Sequence, residues 1–216
     1  DMLQSEEATK SAINKDMELL KRFVSDELAF NYFQIHNKYL IFEIPTGVLL
    51  ADQHAAHERV LYEKSLKKMN KLFSTSQQLL FPQVVNLSRN EVSVVQELTE
   101  ELNALGYEFE LQENGAVVTS IPLDDAYNHE SISLNEIIEQ YIEEQRLRTT
   151  DKRDYLAASF ACKAAIKTGK RLSKEETMRL FQDLLQCDMP YCCPHGRPIV
   201  IELSLYQLDK LFGRII

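Results

Sequence analysis

The sequence predicts an α/β protein of the α+β kind, a two-part domain in which flanking segments form a small mixed sheet with helices and an α/β part is inserted between them. Three observations predict it. From Tyr32 onward, short aromatic and β-branched runs alternate with turn residues. Ser88 with Glu91 and Ser173 with Glu176 are capping boxes that open helices. Between them, Asn114-Gly115 divides two alternating segments and signals a hairpin remote from the first strands.

The elements follow in order. Residues 1–26 read as a linker or tail, because 1–15 are polar with no helical or strand spacing. Tyr32 to His36, Tyr39 to Ile44 and Gly47 to Ala51 predict three antiparallel strands, separated by Asn37-Lys38 and Pro45-Thr46-Gly47. Helix formers then run from Asp52 to about Phe73, with Leu61, Leu66, Met69, Leu72 and Phe73 as core contacts. Leu79 to Leu87 is a strand interrupted by Pro82, and one helix follows from Ser88 to Gly106. Tyr107 to Gln112 and Ala116 to Ile121 form the hairpin around Asn114-Gly115. Helices are expected over Ser133 to Arg148, over Asp151 to Thr168 with Gly169 closing it, and from Ser173 to about Gln186. A tight Cys193 to Pro198 turn, an Ile199 to Leu203 strand and a last helix bearing Tyr206, Leu208, Leu211 and Phe212 complete the series. The two parts are expected as 27–74 with 150–216, and 75–149.

With 216 residues, a chain of this size buries roughly 70% of its unfolded surface and needs no disulfide staples. Four clustered cysteines fit reduced thiols in an intracellular compartment. No apolar run reaches the ~20 residues that span a bilayer, and the first residues carry neither an apolar signal core nor a basic leader. A soluble, non-exported protein with no membrane partner is therefore expected. The net charge of −9 repels a polyanion at long range, so contact with nucleic acid must be local or assisted. Six glycines include no phosphate-cradling loop, so no ATP site is expected.

Two clusters can do chemistry. His54 and Glu58, four residues apart at a strand-to-helix junction, project from one helix face and can grip one ion. Asp52 lies at that helix N-terminus, where its carboxylate is favoured and an N-cap is its simplest role. Glu63 and His57 fall off the stripe, and Glu63 reads as structural. The second cluster, Cys193-Pro194-His195-Gly196-Arg197-Pro198, holds a thiol and an imidazole in a turn stiffened by proline. Thiolate and imidazole suit Zn²⁺, carboxylates suit Mn²⁺ or Mg²⁺, and a mixed site could take either. Cys192 with Cys193 also reads as a pair of small buried residues, and Cys162, among alanines, fits either packing or ligation.

These residues resemble the MutL endonuclease domain, the C-terminal half of the DNA mismatch-repair protein. Asp52-Gln53-His54-Ala55 with Glu58 and Glu63 matches its first motif, and Ala161-Cys162-Lys163 is similar to its second, commonly Ala-Cys-Arg. Cys193 to Pro198 matches its third, and Phe212-Gly213-Arg214 is similar to a shorter fourth. Lys163 keeps the charge but loses the bidentate fork. The resemblance covers Tyr32 to Ile216. It implies a Mn²⁺-stimulated nicking endonuclease in which His54, Glu58, Cys193 and His195, with Cys162, hold one or two Zn²⁺ or Mn²⁺ ions. Asp52, Glu58 and Cys162 would serve the cutting. It further implies an isologous homodimer through the flanking part, a mismatch-recognition partner reached through the full-length protein, and an ATPase in a separate N-terminal half. Work in the bacterial cytoplasm, or in the nucleus for a eukaryotic source, goes with it.

Gln77-Gln78-Leu79-Leu80-Phe81-Pro82 looks like the peptide with which bacterial repair proteins of this kind dock on the replication sliding clamp, through Gln77, Leu80, Phe81 and Pro82. A buried edge strand ended by Pro82 is its plainer reading. Lys163, Lys167, Lys170 and Arg171, with Lys174, form a run free of acids that, together with Arg197, could meet double-stranded DNA. On so acidic a chain that grip would be weak and salt-sensitive, and tethering to a clamp would offset it. A solvated helix face is the alternative for the run. For the whole chain, two others stand: a non-cutting dimerisation and clamp-adaptor module with structural zinc, and an unrelated zinc hydrolase.

Overall fold

A computed structural model describes residues 32–70, 75–123, 133–147 and 151–215. The expected tail over 1–26, and Leu72, Phe73 and Ile216, lie outside them. The chain divides into two compact units, Asp1–Val60 with Ile166–Ile216, and Leu61–Ala165. The boundaries differ from those expected at 74 and 150. The residues after Val60 and up to Ala165 join the inserted unit because their apolar side chains, Leu61, Met69, Tyr155, Leu156, Phe160 and Ala161 among them, pack in its core.

In the first unit, β1 (Tyr32–Ile35), β2 (Tyr39–Ile44), β3 (Gly47–Asp52) and β7 (Val200–Ser204) form one sheet in the order β1-β2-β3-β7. Every pair is antiparallel, so the sheet expected to be mixed is antiparallel throughout. Strand alternation sorts its side chains to two faces. Leu40, Phe42, Ile44, Leu49 and Ala51 turn inward and are buried. Phe42 meets Phe181 of α6 (Lys174–Leu185) edge to face at 4.9 Å. Phe33, Ile35, Tyr39 and Ile201 turn to the other face and stay exposed. Both hydrogen bonds of the Ser173–Glu176 capping box are present at the start of α6. The last helix, α7 (Leu205–Leu211), leaves Leu205, Tyr206, Leu211 and Phe212 exposed.

α1 (Gln53–Met69) begins where β3 ends and runs across the division between Val60 and Leu61. Ala55 to Val60 are all buried, so polar groups on this stretch must find partners inside the protein.

The second unit holds β4 (Ser76–Asn86), β5 (Glu108–Gln112) and β6 (Gly115–Pro122) in the order β4-β6-β5, with α2 (Arg89–Glu97), α3 (Thr99–Leu105), α4 (Leu134–Leu147) and α5 (Lys152–Ala164). Its core gathers Val95, Leu98, Leu102, Leu105, Tyr107, Ile137, Ile138 and Tyr141. Three expectations are corrected here. The helix from Ser88 to Gly106 is two, parted at Leu98, where the Thr99 hydroxyl lies 3.0 Å from the carbonyls of Val95 and Gln96 and competes with the helical ladder. The hairpin turn is Glu113-Asn114, since Gln112 pairs with Gly115. Gly115 is needed because a Cβ there would lie 2.3 Å from the Val85 carbonyl oxygen, not because of a left-handed turn. The helix expected to reach Thr168 ends at Ala164, with Ala165 extended at ψ 151°.

Candidate metal centre

Asp52, the last residue of β3, turns its Oδ1 onto the free N–H groups of His54 at 2.9 Å and Ala55 at 3.1 Å. This is the N-cap role, with a carboxylate at the positive end of α1. Gln53 follows, fully buried, and its amide donates to the Asn37 and Lys170 carbonyls at 2.7 and 3.1 Å. Gln34 donates to Gln53 Oε1 at 2.7 Å and to the Lys170 carbonyl at 3.0 Å, and its own carbonyl accepts from Leu172 N. Two glutamines thus pin the backbone of the basic segment beside the start of α1.

One turn further, Glu58 is completely buried. The Cys193–Pro198 segment comes to it as a closed turn. Cys193 N donates to the Arg197 carbonyl and Gly196 N to the Cys193 carbonyl, each at 2.9 Å, while Gly196 sits at φ +78°. Arg59, buried on α1, donates through Nε to the Cys192 carbonyl at 2.7 Å and ties the turn to the helix. Glu58, Cys193 and His195 each offer one ligand atom, all within 4.8 Å of one another. Arg197 spans two of them, donating to Glu58 Oε2 at 3.1 Å and Cys193 Sγ at 3.5 Å.

The Glu58 carboxylate shows whether this triad fits a cation. Its Oε1 lies 2.9 Å from His195 Nδ1, near enough for an ion pair, yet it is buried and receives no aligned hydrogen bond. A buried carboxylate oxygen without a donor is costly unless a positive charge compensates it. Carboxylate, thiolate and imidazole form a donor set that suits Zn²⁺ and admits Mn²⁺. Burial raises the Glu58 pKa, but the adjoining His195 ring and the charges of His195, His54 and Arg197 outweigh it and hold the carboxyl below its ordinary value. Burial also opposes ionisation of Cys193, as does Glu58. Hydrogen bonds from His195 and Arg197 prevail, so this thiol too is held below its usual value.

His54 is not part of that triad. Its Nδ1 lies 3.0 Å from the Ile166 carbonyl, an acceptor only, so in the neutral ring Nδ1 carries the proton and Nε2 the lone pair. Cys162 and Lys163 are half-buried on α5, in the second unit, and Cys162 is likewise outside the triad. Lys167 and Arg171 are exposed and Lys170 half-buried. Arg197 is exposed as well, though its guanidinium is engaged by the triad. Glu63 is buried, with Lys67 at 3.9 Å. The bonding roles of His57, Arg59, Gln34 and Gln53 were not read from the sequence. Their signal was a run of polar residues, Gln53 and His57 to Arg59, set among Ala55, Ala56 and Val60.

In the second unit, β4 pairs with β6 on both sides of a register shift. Gln78 faces Ser120 and Gln83 faces Val118, so Leu79, Leu80, Phe81 and Pro82 stand opposite Thr119 alone. Leu79 is half-buried against the core, whereas Leu80 is 95% and Phe81 82% exposed. The plainer reading of a buried edge strand is therefore corrected. Pro82, which has no N–H to give a ladder, accounts for the break.

Comparison with known proteins gives a consistent result. The family model described as the MutL C terminal dimerisation domain matches residues 32–172. The chain is 46% identical over 183 residues to the DNA mismatch repair protein MutL of Chlorobium chlorochromatii, covering 84% of this chain and 28% of that protein. It is 43% identical over 194 residues to the MutL of Chlorobaculum tepidum, covering 88% and 31% respectively. With the MutL of Chlorobium limicola the identity is 42% over 205 residues, 91% of this chain and 32% of the relative. The chain thus spans about three tenths of the length of the curated relatives it matches.

Proposed function

Because the chain belongs to the MutL family of DNA mismatch repair proteins, as its C-terminal dimerisation domain, we propose that it is a metal-dependent nicking endonuclease, paired with a second copy of itself and tethered to the replication sliding clamp. The observation that carries the reading is the meeting of Glu58 with Cys193 and His195 from distant stretches of sequence, around a buried carboxylate oxygen that has no aligned hydrogen bond among the described residues. A bound divalent cation would supply a deprotonated water near neutral pH and neutralise charge on the phosphoryl oxygens.

The residues divide the remaining work. Glu58, Cys193 and His195 hold the ion. His54, with its lone pair on Nε2, and Cys162 are the proposed further ligands, and Cys162 also serves the cutting. Asp52 takes the proton of the attacking water or holds a more labile ion. Arg197 balances the charge of Glu58 and Cys193. Lys163, Lys167, Lys170 and Arg171, with Arg197, meet phosphates of duplex DNA, and few contacts make a weak, salt-dependent grip.

Asp52→Asn tests the assignment, because Asn caps a helix as well as Asp does and removes only the charge. Mn²⁺-stimulated nicking of supercoiled plasmid should fall ~100-fold or more, with circular dichroism unchanged. Undiminished nicking would defeat the reading. The burial of Glu58 and Cys193 favours a second reading, a zinc-stabilised adaptor that does not cut. Zinc retained without any nicking by the full-length protein would select it.

The uncovered sheet face of Phe33, Ile35, Tyr39 and Ile201, with the exposed apolar side of α7, supports pairing with a second copy through one self-complementary patch. The bulge at Leu79–Pro82 supports clamp docking, with Leu80 and Phe81 as anchors and Gln77 fixing register. A mismatch-recognition protein would be met by the full-length protein, in the bacterial cytoplasm.

A further inference from the structure

We propose that His57 is a positioning residue that sets the ring tautomer of His54 through the backbone of Ile166. The proposal rests on the metal reading above, in which His54 is a ligand, but on atoms outside the Glu58, Cys193 and His195 triad.

Ile166 is fully buried and lies two residues beyond the end of α5. Ala165 is extended, so the Ile166 N–H has left the helical ladder and needs another acceptor. His57 supplies it: Ile166 N donates to His57 Nδ1 at 3.0 Å. A peptide N–H can only donate, so this ring nitrogen is bare and the His57 proton resides on Nε2. On the other side of the same residue, the Ile166 carbonyl lies 3.0 Å from His54 Nδ1. A carbonyl can only accept, so here Nδ1 is protonated and, in the neutral ring, Nε2 carries the lone pair. One backbone residue, held at both its polar groups, thus assigns opposite tautomers to two rings of the same helix.

The consequence falls on His54. A ligating imidazole needs its partner nitrogen tied to an acceptor, which orients the ring and keeps the binding nitrogen bare. His57 holds Ile166 by its N–H and so keeps its carbonyl aimed at His54. Without that hold the carbonyl is free to turn away, and the His54 proton can move to Nε2, the atom the ion requires. His57 touches neither ion nor substrate on this account.

The test is a long-range nitrogen–proton spectrum of the chain labelled at histidine, in a mildly alkaline chelator buffer where free imidazoles are neutral. The wild-type chain should show His54 protonated at Nδ1 and His57 at Nε2. The same tautomer on both rings would overturn the proposal without any variant. His57→Asn offers an amide oxygen near the place of Nδ1 and should preserve the His54 pattern and Zn²⁺ affinity within about threefold. His57→Leu, which offers none, should mix the His54 tautomers and lower Zn²⁺ affinity about 10- to 100-fold. A His57→Leu chain with the wild-type His54 pattern and affinity would also overturn it. If the wild-type chain takes up no Zn²⁺, the metal reading fails, and the His54 pattern in the wild-type and His57→Leu spectra decides whether His57 governs His54.

Discussion

The Cys193–Pro198 turn and the Leu79–Pro82 bulge are both short, proline-bearing departures from regular structure, yet they treat their side chains in opposite ways. The turn folds Cys193 inward, and Arg59 and Arg197 brace it through the long-range hydrogen bonds Arg59–Cys192 and Arg197–Glu58. The bulge needs no such ties, because four residues opposite one leave the ladder and Leu80 and Phe81 turn to solvent. Gathering donors around a small ion requires burial and cross-bracing. Offering a peptide to a large partner requires only a gap in the pairing. The charges divide as well: Leu61–Ala165 carries ten Lys and Arg against seventeen Asp and Glu, whereas the other unit carries fourteen against sixteen. The inserted unit is the more acidic, which favours a protein partner for it over a phosphate backbone.

The largest test of this contrast is Cys193→Ala. Zinc retention by elemental analysis should be lost and Mn²⁺-dependent nicking reduced about 100- to 1000-fold. Leu80→Ala with Pro82→Ala should leave zinc content untouched and abolish capture by the clamp. Zinc content in Cys193→Ala equal to that of the wild type would break the comparison. Next comes a pair within one unit. Leu102→Ala, fully buried, should cost about 2–5 kcal/mol in denaturant unfolding. Leu80→Ala should stay within about 0.5 kcal/mol, and a larger cost would mean that Leu80 is packed.

Ser173→Ala removes the capping bond that Ser173 Oγ accepts from Glu176 N, leaving the backbone N–H of residue 173 on Glu176 Oε2, and should cost about 1 kcal/mol, read from the same unfolding curves. The smallest effect concerns acid. The Glu58 carboxyl is held below its ordinary value of 4.5, so its interactions stabilise the fold above the unfolded-state pKa and are lost as pH falls through the lower folded-state value. In chelator, stability should therefore decline on acidification below about 4.5, and Glu58→Gln should flatten that decline. An unchanged acid limb in the variant would show that Glu58 does not contribute to it.

Much of this was legible in the chain. Four-residue spacing put His54 and Glu58 on one face, and Cys193-Pro194-His195 announced a rigid turn, because both signals are local. The strands Tyr39–Ile44 and Gly47–Asp52 and the box at Ser173 were legible for the same reason. What escaped notice depends on distant backbone. The partner of His57 is an N–H at Ile166, that of Arg59 a carbonyl at Cys192, and those of Gln53 carbonyls at Asn37 and Lys170. No periodicity encodes such bonds. The early end of α5 at Ala164 escaped for the same reason, since Ala165 to Thr168 read as helical until His57 captures the Ile166 N–H. Gly115 misled in a different way, for its missing side chain serves the close approach of Val85 rather than the hairpin turn.

The register of β4 has a thermodynamic consequence. Ser76 to Gln78 and Gln83 to Asn86 are anchored to β6 on either side of the projecting tetrapeptide. A docking partner would therefore immobilise four already extended residues rather than a loose tail. At roughly 1–2 kcal/mol of backbone entropy per residue, a displayed segment clamped at both ends spares much of the ordering penalty that a flexible one meets. A tight grip from so short a stretch becomes attainable.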